Sequence, residues 1–551
     1  MRQANQLGWW LQGQDRPRLG HDAVNSAIQQ VGKPVYIIDA GEQIGVAQGG
    51  GIVSENLPGG NPVSGETRFP WIAFVPPLHP ANMGCPDFMR AYGLRYPYVI
   101  GAMANGITST RMVEAAGRAG MLGFFGAAGL ALTQIETAIQ HLQSTTGALP
   151  FGFNLIHSPN DPNLELETVQ LYLKYGVNLI SASAFMNLTL PLAYYRIKGI
   201  HQDKQGITAT PHRIIAKISR EEVAKKFLSP PPEKFIRQLL ESGWISPQEA
   251  RLAQTIPMAD ALTAEADSGG HTDNRPALAL LPTMLSIRDR AMTEFKFDRP
   301  LNIGLGGGIA TPESAAAAFA MGADYIVTGS INQACREAGT SDAVRQMLSE
   351  AGQADVTMAP AADMFEMGVK VQVLKRGTMF PLWAGKLYEL YTAHEAYEDI
   401  PESQRNILEK DYFRRSFEDE WAHTKAFFMD KDPQQVERAN SNPKHRMALV
   451  FRSYLGQSSN WANTGEPSRR IDYQIWCGPA IGAFNQWVKG TFLESATHRE
   501  IVVIALNILV GAAVVTRRQH LRQQGILLPD AATRIKPLGL DAIQDLLKNT
   551  S

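Results

Sequence analysis

The chain has 551 residues, 44% of them hydrophobic and 19% charged, with a formal net charge of −1. This length exceeds one ordinary domain and predicts a large core domain with additions, while the near-neutral charge excludes a general pull toward nucleic acid or an anionic membrane. Its three cysteines, Cys85, Cys335 and Cys477, form no CxxC pair, which argues against a disulfide framework or a metal site and fits a reducing cytosol.

The first twenty residues hold no long apolar core and do not read as a secretory signal. Residues 1–92 read as an irregular cap, with one short strand at 35–39 and turn signals at 49–51, 58–60 and 76–77. From Tyr96 the text becomes rhythmic. Short apolar runs fall at 98–103, 121–125, 151–156, 178–183, 213–219, 261–267, 301–305 and 324–328, and each is followed by a helical pattern. Apolar runs of this length without alternation predict strands buried on both faces. Strand and helix in alternation imply a parallel sheet. Eight such units in about 250 residues predict an α/β fold closed as a (β/α)₈ TIM barrel over residues 93–345; an open doubly wound sheet is the rival, and no GxGxxG follows the first strand. A longer polar stretch, residues 220–259, reads as a helical insert.

Beyond about residue 345 the rhythm stops. Residues 371–391 are dense in Lys, Arg and aromatics, helical patterns follow at 402–413, 417–428, 433–438 and 443–455, and residues 346–551 as a whole predict a helical C-terminal extension. The apolar run at 501–515 contains Asn507 and Gly511 and is short of the ~20 residues of a membrane span, so it reads as a buried core helix.

In a (β/α)₈ barrel the site lies at the C-terminal strand ends, and phosphate binds at the loops after strands seven and eight. Those ends here carry Gly306-Gly307-Gly308 and Gly329-Ser330. Bare backbone N–H groups can hold a phosphate there, and Thr311-Pro312 predicts a capped helix start. Strand one ends in Gly101-Ala102-Met103, strand three carries Asn154, and strand four ends at Ser183. Small and amide groups at these ends suit a flat ring, which together with the phosphate loops suggests flavin mononucleotide. For Asn154, a role capping its own loop is an equal alternative. Strand six leads into Gly269-Gly270-His271. Two glycines free the backbone, and the imidazole titrates nearest neutral pH, so His271 is the candidate catalytic residue.

With Gly101-Ala102-Met103, Asp267-Ser-Gly-Gly-His271, Gly306-Gly-Gly-Ile-Ala-Thr-Pro-Glu-Ser-Ala315 and Thr328-Gly-Ser330, the chain resembles the nitronate monooxygenase-like flavin barrels. Glu265-Ala-Asp-Ser-Gly-Gly-His-Thr-Asp-Asn-Arg-Pro276, Val327-Thr-Gly-Ser-Ile-Asn-Gln333 and Leu374-Lys-Arg-Gly-Thr-Met-Phe-Pro381 are similar to one branch, the PfaD-type trans-acting enoyl reductases of polyunsaturated fatty acid and polyketide synthases. Leu382-Trp383-Ala384 stands where that branch usually has an Arg-Ala-like pair. The resemblance implies FMN and NADPH as cofactors. It implies an enoyl thioester substrate on an acyl carrier protein, a cytoplasmic setting, and His271 as the donor to the carbonyl or to the α-carbon. A homodimer is compatible with it. Lys225, Lys226, Lys234 and Arg237 of the insert, or residues 370–386, are candidate docking points for an acidic carrier. Nitronate oxidation by oxygen, or a silent role in a synthase that binds flavin without using it, are the other functions this barrel admits.

Overall fold

The computed structural model describes residues 6–13, 16–53, 67–158, 162–529 and 535–548; the turn expected at 58–60 lies outside them. Eight strands, Tyr98–Ile100, Leu122–Phe125, Phe151–Ile156, Leu179–Ser183, Arg213–Ile218, Ala261–Glu265, Asn302–Gly306 and Ile326–Thr328, pair in parallel in this order, and the eighth closes on the first. We number these barrel strands one to eight. The first is shorter than its apolar text because Thr108 turns the chain beyond it: its hydroxyl donates to the Gly101 carbonyl at 2.8 Å and accepts from the Met103 N–H at 2.9 Å.

Strand side chains alternate between two cores, as the period of two requires. Val99, Phe124, Leu179, Ile215, Ala261, Tyr325 and Val327 fill the barrel, whereas Ile100, Phe153, Ile180, Ile214 and Ile303 face the surrounding helices. Phe88, on the helix Pro86–Tyr92, joins the interior and stacks on Tyr325 with ring centroids 4.1 Å apart. That helix plugs the N-terminal end, leaving the C-terminal end as the mouth. Three helices, Glu221–Phe227, Glu233–Glu241 and Pro247–Leu252, lie between strands five and six.

The N-terminal residues are more regular than their text. They form a six-stranded antiparallel sheet in which Arg68–Val75 pairs with both Gly8–Leu11 and Val35–Asp39. Residues beyond 345 are mainly helical, but two strands, Val356–Pro360 and Lys370–Leu374, precede the helices and make a three-stranded sheet with Gly270–His271. Helices Phe380–Ala393, Phe417–Lys431, Pro433–Ser441 and Pro443–Thr464 follow, and this part has its own core around Phe365, Phe380, Leu387, Phe451 and Tyr454.

The apolar run at 501 extends to Gln523, so it is long and apolar enough to cross a membrane; burial, not shortness, marks it as a core helix, since 78% of its most apolar stretch is inside the protein. It lies against the barrel helix Pro312–Ala320, where a Cβ on Gly511 would come 2.5 Å from Pro312. Arg517, 2% exposed, donates to the carbonyls of Gln30 and Lys33. The Gln524 amide pairs with both backbone groups of Phe74, at 3.0 and 2.8 Å.

Candidate active site at the barrel mouth

One period of two above the interior core, the strands present Gly101, Asn154, Ser183, Lys217, Glu265 and Gly306 toward the mouth. This layer divides. On strands seven, eight and one it is bare backbone; on strands three to six it is an arc of polar groups. The Asn154 carbonyl accepts from the Ala127 and Ala128 amides at 2.7 and 3.2 Å, so it caps the loop after strand two and not its own loop. This turns its Nδ2 away, where it has no acceptor among the described residues. Ser183 is half-buried at the end of strand four. Lys217 and Glu265 form an ion pair of 2.7 Å between strands five and six.

The glycines at the mouth are bare for different reasons. A Cβ on Gly101 would meet Val327 at 3.1 Å, on Gly306 Thr263 at 3.0 Å, on Gly307 Ala266 at 2.7 Å, and on Gly269 Cys477 at 2.7 Å. These four accommodate protein neighbours. Gly308 and Gly329 have nothing within 4 Å of a built Cβ, and their amides donate to no protein acceptor among the described residues. Open space beside unpaired N–H groups, at the loops after strands seven and eight, is the donor set a phosphate needs. Ser330 completes it: its hydroxyl accepts from the Gly478 N–H at 2.9 Å and keeps its own proton to donate. Thr311 caps the following helix with Pro312 at its first position. Ala102 and Met103 are half-buried beside Gly101. These residues fit the phosphate and ring of a flavin mononucleotide.

Strand six ends at Glu265, and the chain reaches His271 by a turn fixed by Asp267 and Gln372. The Gln372 amide donates to Asp267 Oδ1 and to the Ser268 carbonyl, each at 2.8 Å, and Asn274 Nδ2 donates to Asp267 Oδ1 at 2.8 Å. Gly270 takes φ 76° there. His271 pairs with Val371 as part of the small sheet. Its Nε2 lies 3.2 Å from Asp363 Oδ1, and since a carboxylate only accepts, Nε2 carries the proton. Nδ1 has no partner among the described residues, and the side chain is 32% exposed. Burial draws the His271 pKa down, but the Asp363 hydrogen bond and the charges of Asp363 and Glu265 outweigh it and the opposing Lys217, leaving it above the ordinary histidine value.

Residues beyond 345 therefore wall the mouth. Asp363 reaches His271, Gly478 reaches Ser330, and Ser459 accepts from Asn105 Nδ2 at 2.8 Å. The sequence reading omitted Lys217, Glu265, Asp363 and Gly478. Counting by two from the interior residues Ile215 and Thr263 finds the first pair; no local signal marks the second. A separate cleft of about 770 Å³, lined by Arg376, Asn485, Lys489 and Arg499, contains none of the mouth residues. The mouth is preferred because unpaired amides, an ion pair and a poised imidazole converge there.

The nitronate monooxygenase family model matches residues 88–384. The inserted helical domain of [acyl-carrier-protein] S-malonyltransferase matches residues 394–473, within the helices beyond the barrel. One of the polyunsaturated fatty acid synthase proteins of a Thraustochytrium species is 44% identical over 475 residues, covering 84% of this chain and 32% of that protein. Polyketide biosynthesis protein PksE of Bacillus subtilis is 44% identical over 453 residues, covering 82% of this chain and 58% of that one. The chain thus spans just under a third of the first of these relatives and just under three fifths of the second. Among solved structures, the enoyl reductase domain of MlnA from the macrolactin biosynthesis cluster of Bacillus amyloliquefaciens is 40% identical with a TM-score of 0.76, covering 80% of this chain and 99% of that domain. The chain belongs to the nitronate monooxygenase family, in its branch of PfaD-type enoyl reductases.

Proposed function

We propose that this chain is an FMN-dependent, NADPH-using enoyl reductase. It acts in trans, in the cytoplasm, on enoyl thioesters carried by the acyl carrier protein of a polyketide or polyunsaturated fatty acid synthase. The observation that carries the reading is a poised imidazole, His271, at the same barrel mouth as the amides of Gly308 and Gly329, in a chain that covers 99% of a 40% identical enoyl reductase domain. Residues 1–92 as cap, 93–345 as barrel with insert 220–259, and 346–551 as extension belong to the same reading.

Gly308, Gly329 and Ser330 would hold the phosphate, and Gly101, Ala102 and Met103 would support the ring with Gly306, Gly307, Gly269 and Gly270. Asn154 Nδ2, Ser183 and Lys217 would be the donors available to it on strands three to five. A bound flavin would supply two-electron hydride chemistry between the nicotinamide and the β-carbon. Charge then develops on the thioester oxygen and α-carbon, where a positioned donor lowers the barrier most. His271, protonated, gives its Nδ1 proton to the α-carbon and recovers one from water.

Charge alone does not mark the insert as the carrier's dock. Its exposed Lys225, Lys226, Lys234 and Arg237 alternate with exposed Glu221, Glu222, Glu233 and Glu241. In the helix Glu221–Phe227 the acidic pair occupies the first turn and the basic pair the last, the arrangement its own dipole favours. The test of the function is anaerobic reduction by NADPH followed by a carrier-bound enoyl substrate. The reading expects flavin absorbance, bleaching by NADPH and rapid reoxidation by the thioester, with slowed turnover and retained flavin in His271→Ala. A colourless protein sinks the reading, and reduced protein that reacts faster with oxygen than with the thioester favours nitronate oxidation.

A further inference from the structure

We infer that Asp363, from beyond the barrel, is the positioning residue that sets the tautomer and charge of His271, so that the extension is a working part of the active site. The inference rests on His271 as the proton donor.

Four observations converge on it. The carboxylate accepts a hydrogen bond from Nε2–H, N···O 3.2 Å, and Nδ1 has no partner among the described residues. The ring is held on its backbone side by pairing with Val371, eight residues after Asp363. The loop between the two strands is anchored: Phe365 is 0% exposed and packs on Tyr388, Tyr391 and Phe451, and the Ala361 N–H donates to the Val369 carbonyl at 2.9 Å. Arg452, from the helix Pro443–Thr464, grips the loop on both sides of Asp363, donating to the Ala362 carbonyl at 2.9 Å and pairing with Glu366 at 3.1 Å. A carboxylate on so fixed a loop orients the imidazole rather than following it.

The other charges around the ring are Glu265, which raises its pKa, and Lys217, which lowers it. Asp363 itself is held below the usual carboxylate value: burial opposes this, but the His271 hydrogen bond, the His271 charge, a backbone hydrogen bond and the Arg452 charge prevail. The pair therefore holds carboxylate and imidazolium to a higher pH than an unpaired histidine would, the state a general acid needs.

The test is Asp363→Asn in the full-length protein with isotopically labelled histidine. The His271 resonance, identified by its loss in His271→Ala, should titrate at lower pH than in the wild type. With carrier-bound crotonyl thioester, kcat should fall on the order of tenfold at pH 8 and much less at pH 6, at unchanged flavin content and KM, with recovery in Asp363→Glu. An unaltered His271 titration and a parallel pH profile would overturn the inference. If Asp363→Asn does not fold, the neutral tautomer of His271 in the wild type decides: Nε2–H is expected, and Nδ1–H overturns it. Full activity in His271→Ala would remove the proton-donor reading while leaving the titration result to stand or fall alone.

Discussion

Gly269 and Cys477 meet backbone to backbone: a Cβ on Gly269 would lie 2.7 Å from the Cys477 Cα and 2.9 Å from the Gly478 nitrogen. Neither neighbour is the end of a flexible side chain, so Gly269→Ala must push the 476–479 segment outward. We expect a loss of ~1–3 kcal/mol from overpacking. Weakened flavin retention should accompany it, because Gly478 also holds Ser330. Gly270→Ala causes no such overpacking, since nothing lies within 4 Å of that site and its cost is the strain of a side chain at φ 76°. Denaturant melts and flavin fluorescence of the two variants separate these outcomes.

Gly329→Ala tests the phosphate loop. A Cβ there meets nothing within 4 Å. The flavin-free protein should therefore melt within about 0.5 kcal/mol of the wild type, as a neutral substitution does. Flavin affinity should fall at least severalfold, because the methyl enters the space beside the amide. Equal affinity in a flavin titration would place the phosphate elsewhere.

Lys217 and Glu265 act on His271 with opposite signs. Removing Glu265 charge in Glu265→Gln should lower the His271 pKa and move the alkaline limb of the kcat profile to lower pH; Lys217→Met should move it higher. In the wild type the raised pKa means that activity is kept below it and declines as pH rises through it. The same sign governs stability: the contribution of His271 is complete below the ordinary value of 6.5 and is lost as pH climbs through the raised one. Profiles of the three proteins measured side by side check the order.

The His271 turn is tied to the insert by Asp273, which takes both Nε and Nη2 of Arg220 at 2.9 Å and the Ser219 hydroxyl at 2.5 Å. The Arg220 hydrogen bond leads the effects that hold the Asp273 carboxyl down at about 2, from 3.8. A depressed carboxyl stabilises the folded state above its ordinary value, and the effect drains away as pH falls toward 2. Asp273→Asn should thus melt below the wild type at neutral pH, with the gap closing between about pH 4 and pH 2. A constant gap in thermal melts across that range would exclude the ionic contribution.

The barrel was legible because its strands are buried on both faces, which leaves eight apolar runs that nothing else in the text imitates. Strand limits shifted where side chains redirect the backbone, as Thr108 does after Ile100. Of the N-terminal sheet only the strand 35–39 was legible, because the pairing is remote: Gly8–Leu11 lies beside Arg68–Val75 with a Gly- and Pro-rich stretch between them. The location of His271 could be read from its glycines, but its partner stands 92 positions away in text that looks like a linker. Gly101, Gly269, Gly306 and Gly307 were read as room for a ligand, and the fold uses them first for its own close contacts.

The join between Gln524 and Phe74 spans 450 positions. At ~5–20 residues per second on the ribosome, the first sheet waits about 20–90 s for the glutamine that completes its edge. Arg517, which closes the carbonyls at Gln30 and Lys33, arrives equally late. Over that interval the nascent chain therefore carries an unfinished strand edge, open to neighbouring nascent chains, until the helix Ile501–Gln523 and Gln524 emerge.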